Sequence, residues 1–355
     1  MATRLLPILA LLPLAAATTA CSASTKKGAA GRAWDSIEPE CREKLENNRT
    51  AAAMRCLEGH FWEAREPGRR AGDWHTTLRK LRHDAEMFTW LEQEGKVKPE
   101  VKKLFRGVFQ SARQKHDNPD KVFELAFKEQ TDDRKLWQQA NNKAVYWDPA
   151  GKETPARILR AKPAALQGLE DSFRSAGRAV SDKFLADGTL KKLKRFLQAS
   201  TFYFYPRKGY HLLALMEDGL ASPLLGQVVD ALRSALPGVL GPLSGIKVWK
   251  ADNSALAREK ADQPELSEDA AVSVLLWLVP SSALNGSASN ALFLFQRGNE
   301  SEEPVARISY ATNRAVIWGR HLQATWRGPS WKPGFLQRGL HLLFSFGWAQ
   351  EECAA

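Results

Sequence analysis

Apolar positions recur at helical spacing over the first half of the chain and at alternating spacing over the second. Between Trp34 and about Lys143 the pattern is helical. Leu78, Leu81, Met87, Phe88, Trp90 and Leu91 mark one apolar face, and Gly95 with Val97-Lys-Pro breaks the run. Val101, Leu104, Phe105, Val108 and Phe109 mark a second helix starting near Pro99, and Val122, Phe123, Leu125 and Phe127 begin another. After a polar junction over 141–154, Ala164 to Ala176 and Ala179 to Leu185 both read as helix. The basic amphipathic run from Leu190 to Leu197 follows, and it is expected to pack on a sheet.

The second half changes period. Thr201 to Pro206 and Gly209 to Leu215 read as strands, Pro223 to Leu236 as a helix stopped by Pro237-Gly238, and Ile246 to Trp249 as a strand. A polar loop over 251–267 leads into short apolar strands at Ala270 to Val279, Ala291 to Phe295, Ala306 to Tyr310, Ala315 to Trp318 and Leu340 to Phe346. No fixed-period repeat and no low-complexity tract occurs.

The first 20 residues stand outside this pattern. Arg4 is a short basic start, Leu5 to Ala17 an apolar run, and Thr18-Thr19-Ala20 a stretch of small residues suited to cleavage. That is a secretory signal pattern, too short for a membrane span, and no other apolar run approaches the roughly 20 residues a spanning helix needs. Cys21 follows directly, but Thr-Thr-Ala is a poor lipobox, so secretion is expected ahead of a lipid anchor at Cys21. Among the remaining cysteines, Cys41 and Cys56 are near enough to close a small disulfide loop, with Cys353 left over; unpaired thiols are the other reading.

At 355 residues, with 44% hydrophobic and 26% charged content, the chain is long enough for a sizeable core. The net charge of +11 is lopsided, because residues 201–355 balance 14 basic against 14 acidic groups and residues 1–200 hold 37 against 26. A basic half of this kind either contacts an anionic partner or is a solvated helical surface. No phosphate-cradling Gly-rich loop, no Gly-x-Ser-x-Gly elbow and no paired-cysteine zinc spacing is present. His83 beside Asp84 suggests an acid–base pair, yet neighbours on a helix diverge, which favours a core or capping role.

Several phrases in fixed order carry a resemblance: Leu81-Arg-His-Asp-Ala-Glu, Gly209-Tyr, Glu217-Asp-Gly, Ser222-Pro-Leu, Ala231-Leu-Arg-Ser-Ala-Leu-Pro, Ala270-Ala-Val, Trp277 with Pro280, Tyr310-Ala-Thr-Asn-Arg-Ala-Val and Pro333-Gly-Phe. Between Leu78 and Gly347 the chain thereby resembles the 2-oxoglutarate- and Fe(II)-dependent oxygenase domains. The resemblance implies an α+β fold: a double-stranded β-helix, a jelly-roll type of barrel, over 146–350, behind a leader and helical region over 21–145. It also implies iron held at the barrel end by His-x-Asp and a distal His, with 2-oxoglutarate beside it.

Counted back without gaps from Trp277, the first His and the carboxylate of that triad fall on Leu266 and Glu268. Counted forward from Asn313, the distal His falls on Ala324, and Pro333-Gly334 then falls where the family has Pro-Gly. Leucine and alanine carry no donor atom for a metal. The resemblance makes Arg338 the candidate for gripping a 2-oxoglutarate carboxylate, since a guanidinium fork matches a carboxylate plane; the family has two consecutive arginines there and this chain has Arg338-Gly339. The expectation is a pseudoenzyme that binds an unknown ligand or protein partner and uses no cofactor. The alternative is an active oxygenase using Fe(II) and 2-oxoglutarate at a non-standard site.

Overall fold

The computed structural model describes residues 38–63, 75–127, 131–207, 211–251, 270–285, 291–298, 303–327 and 331–348. The signal pattern, Cys21, Cys353, Leu266 and Glu268 lie outside them. Among the described residues no helix is long and apolar enough to cross a membrane.

Helices α1 (Pro39–Glu46) and α2 (Thr50–Glu63) form a hairpin closed by a Cys41–Cys56 disulfide. Of the two readings open for these cysteines, the bonded one holds. Cys41, Leu45, Met54 and Leu57 are buried in the same apolar core as the barrel strands, so the hairpin is part of the barrel's packing. Helices α3 (Leu78–Gln93), α4 (Pro99–Lys115) and α5 (Asp132–Ala140) build a second core of Leu81, Phe88, Leu91, Leu104, Phe105 and Trp137. Thr77 caps α3 by accepting from the Lys80 amide at 3.2 Å, and Pro99 opens α4 at a position where a missing N–H costs nothing.

Strands β1 (His75–Thr76) and β2 (Phe123–Glu124) pair with each other. The helix expected to begin at Val122 therefore does not form: the Asn118 side-chain Oδ1 accepts from the Asp120 and Lys121 amides and turns the chain into extended structure. Helix α6 (Pro163–Ala176) ends at Gly177, whose φ of 63° is left-handed. A Cβ there would lie 2.1 Å from the His321 ring, so glycine answers both to the turn and to the close approach. Beyond it, Arg178–Ser181 is strand β3, not the expected helix, because Gly177 stops α6 beside the open edge of the sheet.

Helix α7 (Asp187–Ala199) holds the basic amphipathic run and packs against the sheet as expected. Strands β4 (Tyr205–Arg207) and β5 (His211–Leu215) form a hairpin, with only the end of the predicted Thr201–Pro206 strand paired. Helix α8 (Pro223–Ala235), capped by Ser222, precedes β6 (Leu240–Ala251). Then come β7 (Val272–Trp277), β8 (Ala291–Gln296), β9 (Ala306–Ser309), β10 (Ala315–Gly319), β11 (Leu322–Arg327) and β12 (Leu340–Trp348).

Among the described residues all strand pairings are antiparallel. One seven-stranded sheet runs β3-β10-β7-β12-β6-β5-β4, and a three-stranded sheet runs β11-β8-β9. From β7 onward the chain crosses from the large sheet to the small one and back, twice. That winding is a double-stranded β-helix. Strands β7 and β10 are buried at every position, which is why they read as nearly continuous apolar runs.

Asn313 shows what its phrase does in this fold. At φ 60° it turns the chain into β10, and its side-chain amide clasps Leu185, accepting from the backbone N–H and donating to the backbone C=O, both at 2.8 Å. Asn313→Ala is expected to cost about 2 kcal/mol, because it strands two buried backbone groups and keeps a left-handed turn that alanine tolerates poorly. A urea midpoint unchanged by the substitution would contradict this.

Candidate functional site

The barrel end implied as the iron site is built by β11, β12 and the turn after β9. Along β11 the side chains of Leu322, Ala324 and Trp326 are buried while Gln323 and Thr325 alternate between them, half-buried. Ala324 pairs with Leu294 of β8 and is fully buried. Across the barrel, His341 of β12 pairs with Trp277 of β7 on one side and Trp249 of β6 on the other.

Aromatic rings occupy the space between. Trp277 stacks on Tyr310 with ring centroids 5.0 Å apart, and Trp326 meets Trp277 edge-on at 5.1 Å. Trp331 meets Tyr310 at 5.3 Å, and His341 meets Trp326 at 4.8 Å, both nearly perpendicular. These are the offset and T-shaped geometries that ring quadrupoles favour. The Tyr310 hydroxyl donates to the Val279 carbonyl at 2.6 Å, and burial pushes its phenol far up, so it stays protonated. The Trp331 segment is pinned by the Lys332 amide donating to the Ala283 carbonyl at 2.8 Å. Its indole rests directly on Gly339: a Cβ at 339 would sit 2.2 Å from the ring.

The described residues do not fit an iron centre at this place. Ala324 offers no ligand, and His341 is the one imidazole in the aromatic cluster. His321, nearest in sequence to Ala324, lies in the turn before β11, with its ring against Gly177. Among the described residues no grouping of two histidines with a carboxylate comes within coordinating reach of one point. Glu268 and Leu266 fall in 252–269, outside the description.

Arg338 is taken up elsewhere. It is buried, and its Nη2 donates to Glu86 Oε2 of α3 at 2.7 Å. Around this pair lies a buried polar layer between α3 and the barrel. Lys80 Nζ donates to Asp84 Oδ2 at 2.5 Å, and Asp84 Oδ1 is 2.9 Å from His83 Nδ1. Lys250, at the end of β6, donates to the Gln198 carbonyl at 3.1 Å and sits over the Tyr203 ring at 4.0 Å and the Phe335 ring at 5.0 Å. The His83–Asp84 contact corrects the argument from helix geometry, since the two adjacent side chains do meet. The core placement expected of them holds.

This layer is electrostatically tense. Burial, then Lys250, pushes His83 down to about 3, so its ring is neutral. Burial works to raise Asp84 and Glu86, but Lys80 with His83, and Arg338 with Arg82, hold both carboxyls below their ordinary values. Burial and Arg338 together drive Lys250 well below the usual lysine range, with Asp84 opposing. For His83 the unfolded chain takes up a proton near pH 6.5 and the folded chain only near 3, so stability is complete above 6.5 and lost as pH falls through that window. At pH 4.5 the loss from this group is expected to be about 2–3 kcal/mol relative to pH 7. His83→Gln should flatten the curve; an equally steep one would exclude His83 as its source.

A separate groove of about 1190 Å³ runs along α4, with Leu125, Phe127 and Leu136 among its apolar walls and Lys103, Arg106, Asp132 and Asp133 on its rim. Its rim mixes both signs of charge.

No protein-family model matches the chain, and no curated protein matches it. Solved structures do. A prolyl hydroxylase from Trichoplax adhaerens, in complex with a hypoxia inducible factor peptide fragment, is 13% identical, covers 54% of this chain and 92% of its own, and superposes with a TM-score of 0.36. A 2OG-Fe(II) oxygenase family oxidoreductase from Burkholderia pseudomallei is 12% identical over 54% and 92%, with a TM-score of 0.35. HygX from Streptomyces hygroscopicus, with nickel, 2-oxoglutarate and hygromycin B bound, is 11% identical over 52% and 88%, with a TM-score of 0.37. The strand winding described above is what establishes the fold here.

Proposed function

We propose that this protein is a non-catalytic relative of the 2-oxoglutarate oxygenases, a secreted pseudoenzyme that serves as a ligand- or partner-binding protein. One observation carries the reading: Ala324 stands, fully buried, where the distal imidazole is implied, on the same side of β11 as Trp326, whose ring packs in a cluster with Trp277, Tyr310 and Trp331. An iron centre needs two imidazoles and a carboxylate on one face with open positions for the keto acid and dioxygen. A filled aromatic cluster supplies neither. Arg338, the candidate carboxylate grip, acts in this reading as the partner of Glu86. The Cys41–Cys56 disulfide supports entry into an oxidising compartment.

The test is anaerobic addition of Fe(II) and 2-oxoglutarate to the full chain. No metal-to-ligand charge-transfer band and no succinate above background are expected. A stoichiometric band, or succinate release on admitting oxygen, overturns the proposal. A non-standard iron site is the second reading, favoured by His341 lying within the aromatic cluster; in that case His341→Ala abolishes a band that the unaltered chain displays.

A further inference from the structure

We infer that the α1–α2 hairpin, with its disulfide reduced, is a site for a zinc-class divalent cation. The ligands are the Cys41 and Cys56 thiolates, His60 Nε2 and Glu40 Oε1. One ligand atom from each of these four residues lies within 4.8 Å of every other. Glu40 Oε1 is 2.9 Å from His60 Nε2 and 3.2 Å from Cys56 Sγ. The backbone explains why they converge. Cys56 and His60 are four apart on α2 and share a face, while Glu40 and Cys41 are adjacent in the first turn of α1, across the hairpin. Two sulfurs, one imidazole and one carboxylate are the donor set that zinc takes in tetrahedral geometry.

An ordinary structural disulfide needs no imidazole and carboxylate against its sulfurs. Here the more accessible sulfur, Cys56 Sγ, has Glu40 on one side and Lys44 Nζ at 3.5 Å on another. That ammonium favours the thiolate once the bond opens. Cys41 is fully buried, which fixes one ligand in the core while the other three are reachable from solvent.

The chemistry balances with a dithiol reductant as co-reactant. The reductant gives two electrons and two protons to the Cys41–Cys56 bond, forming two thiols and its own disulfide. The metal then displaces the two thiol protons. The sulfurs move from 2.03 Å apart to about 3.8 Å, the separation that two bonds of about 2.3 Å subtend at a tetrahedral centre. In both states the same two helices stay tied, by a covalent bond when oxidised and by a metal when reduced. Oxidation therefore expels the metal.

The test uses the full chain with Cys21→Ser and Cys353→Ser, reduced by a phosphine and titrated with Co²⁺ as the probe. One equivalent should bind, with a thiolate-to-cobalt charge-transfer band and the intense visible bands of a tetrahedral site, both erased by Zn²⁺. The oxidised chain should show neither. His60→Ala and Glu40→Gln, each at a partly exposed position, should weaken binding by at least about tenfold. Lack of a thiolate band in the reduced chain overturns the proposal. So does equal affinity in the His60→Ala variant, which would mean the cysteines bind on their own in a loosened chain.

Discussion

Trp326→Ala is expected to destabilise the protein by about 3–5 kcal/mol, the largest effect of any single substitution considered. The indole is essentially fully buried, with Trp277 and His341 packed against it edge-on. Removing it withdraws a large apolar surface and leaves a void that the two sheets, each held by its ladder, cannot close. The measurement is the urea midpoint with the slope checked for constancy, so that the shift reports stability alone. A loss below about 1 kcal/mol would mean the barrel end is loosely filled. The proposed lack of catalysis would then lose its main support.

Glu86→Ala is expected to cost about 3–4 kcal/mol, for a different reason. The carboxylate is about 30% exposed, but its partner Arg338 is about 2% exposed and lies close enough to Lys250 for the two cations to oppose each other. Without Glu86 a buried guanidinium keeps its charge and loses the carboxylate that it donates to at 2.7 Å. Converting Arg338 to Met in the same chain should recover most of the loss, since an apolar group of similar length needs no partner. If the double variant is no more stable than Glu86→Ala, the pair is not the source of the effect.

How much of this was legible beforehand depends on whether a feature is local. Strands β7, β8, β9, β10 and β12 are continuous or alternating apolar runs and were readable as such. Strand β11 was not, because Leu322-Gln-Ala-Thr-Trp-Arg has a small alanine between its two bulky inward residues, Leu322 and Trp326, which weakens the alternation; its alanine matters only once the opposite sheet is in place. The edge strand β3 resembled helix because Ala179 and Val180 have no strong period, and pairing with β10 decides the matter. The position of Ala324 along the chain is a matter of spacing, a one-dimensional property, whereas its burial opposite Leu294 depends on the pairing of β11 with β8. The aromatic filling was invisible to counting, because Trp331 and Gly339 meet across a turn. Nothing local distinguishes Lys250, at a strand end, or Glu86, on a helix, from a solvated charge. The burial of Lys250 and the pairing of Glu86 with Arg338 follow from the way α3 seats on the barrel.

The seating of Trp331 upon Gly339 also sets the terms for anyone redesigning this scaffold. Grafting an imidazole at position 324 would only crowd an occupied cavity. Taking the Trp331 indole away to make room would uncover a bare glycine and leave a hollow. Retrofitting a metal here is therefore a concerted rebuild, and each half-finished version would be less well packed than the protein it started from.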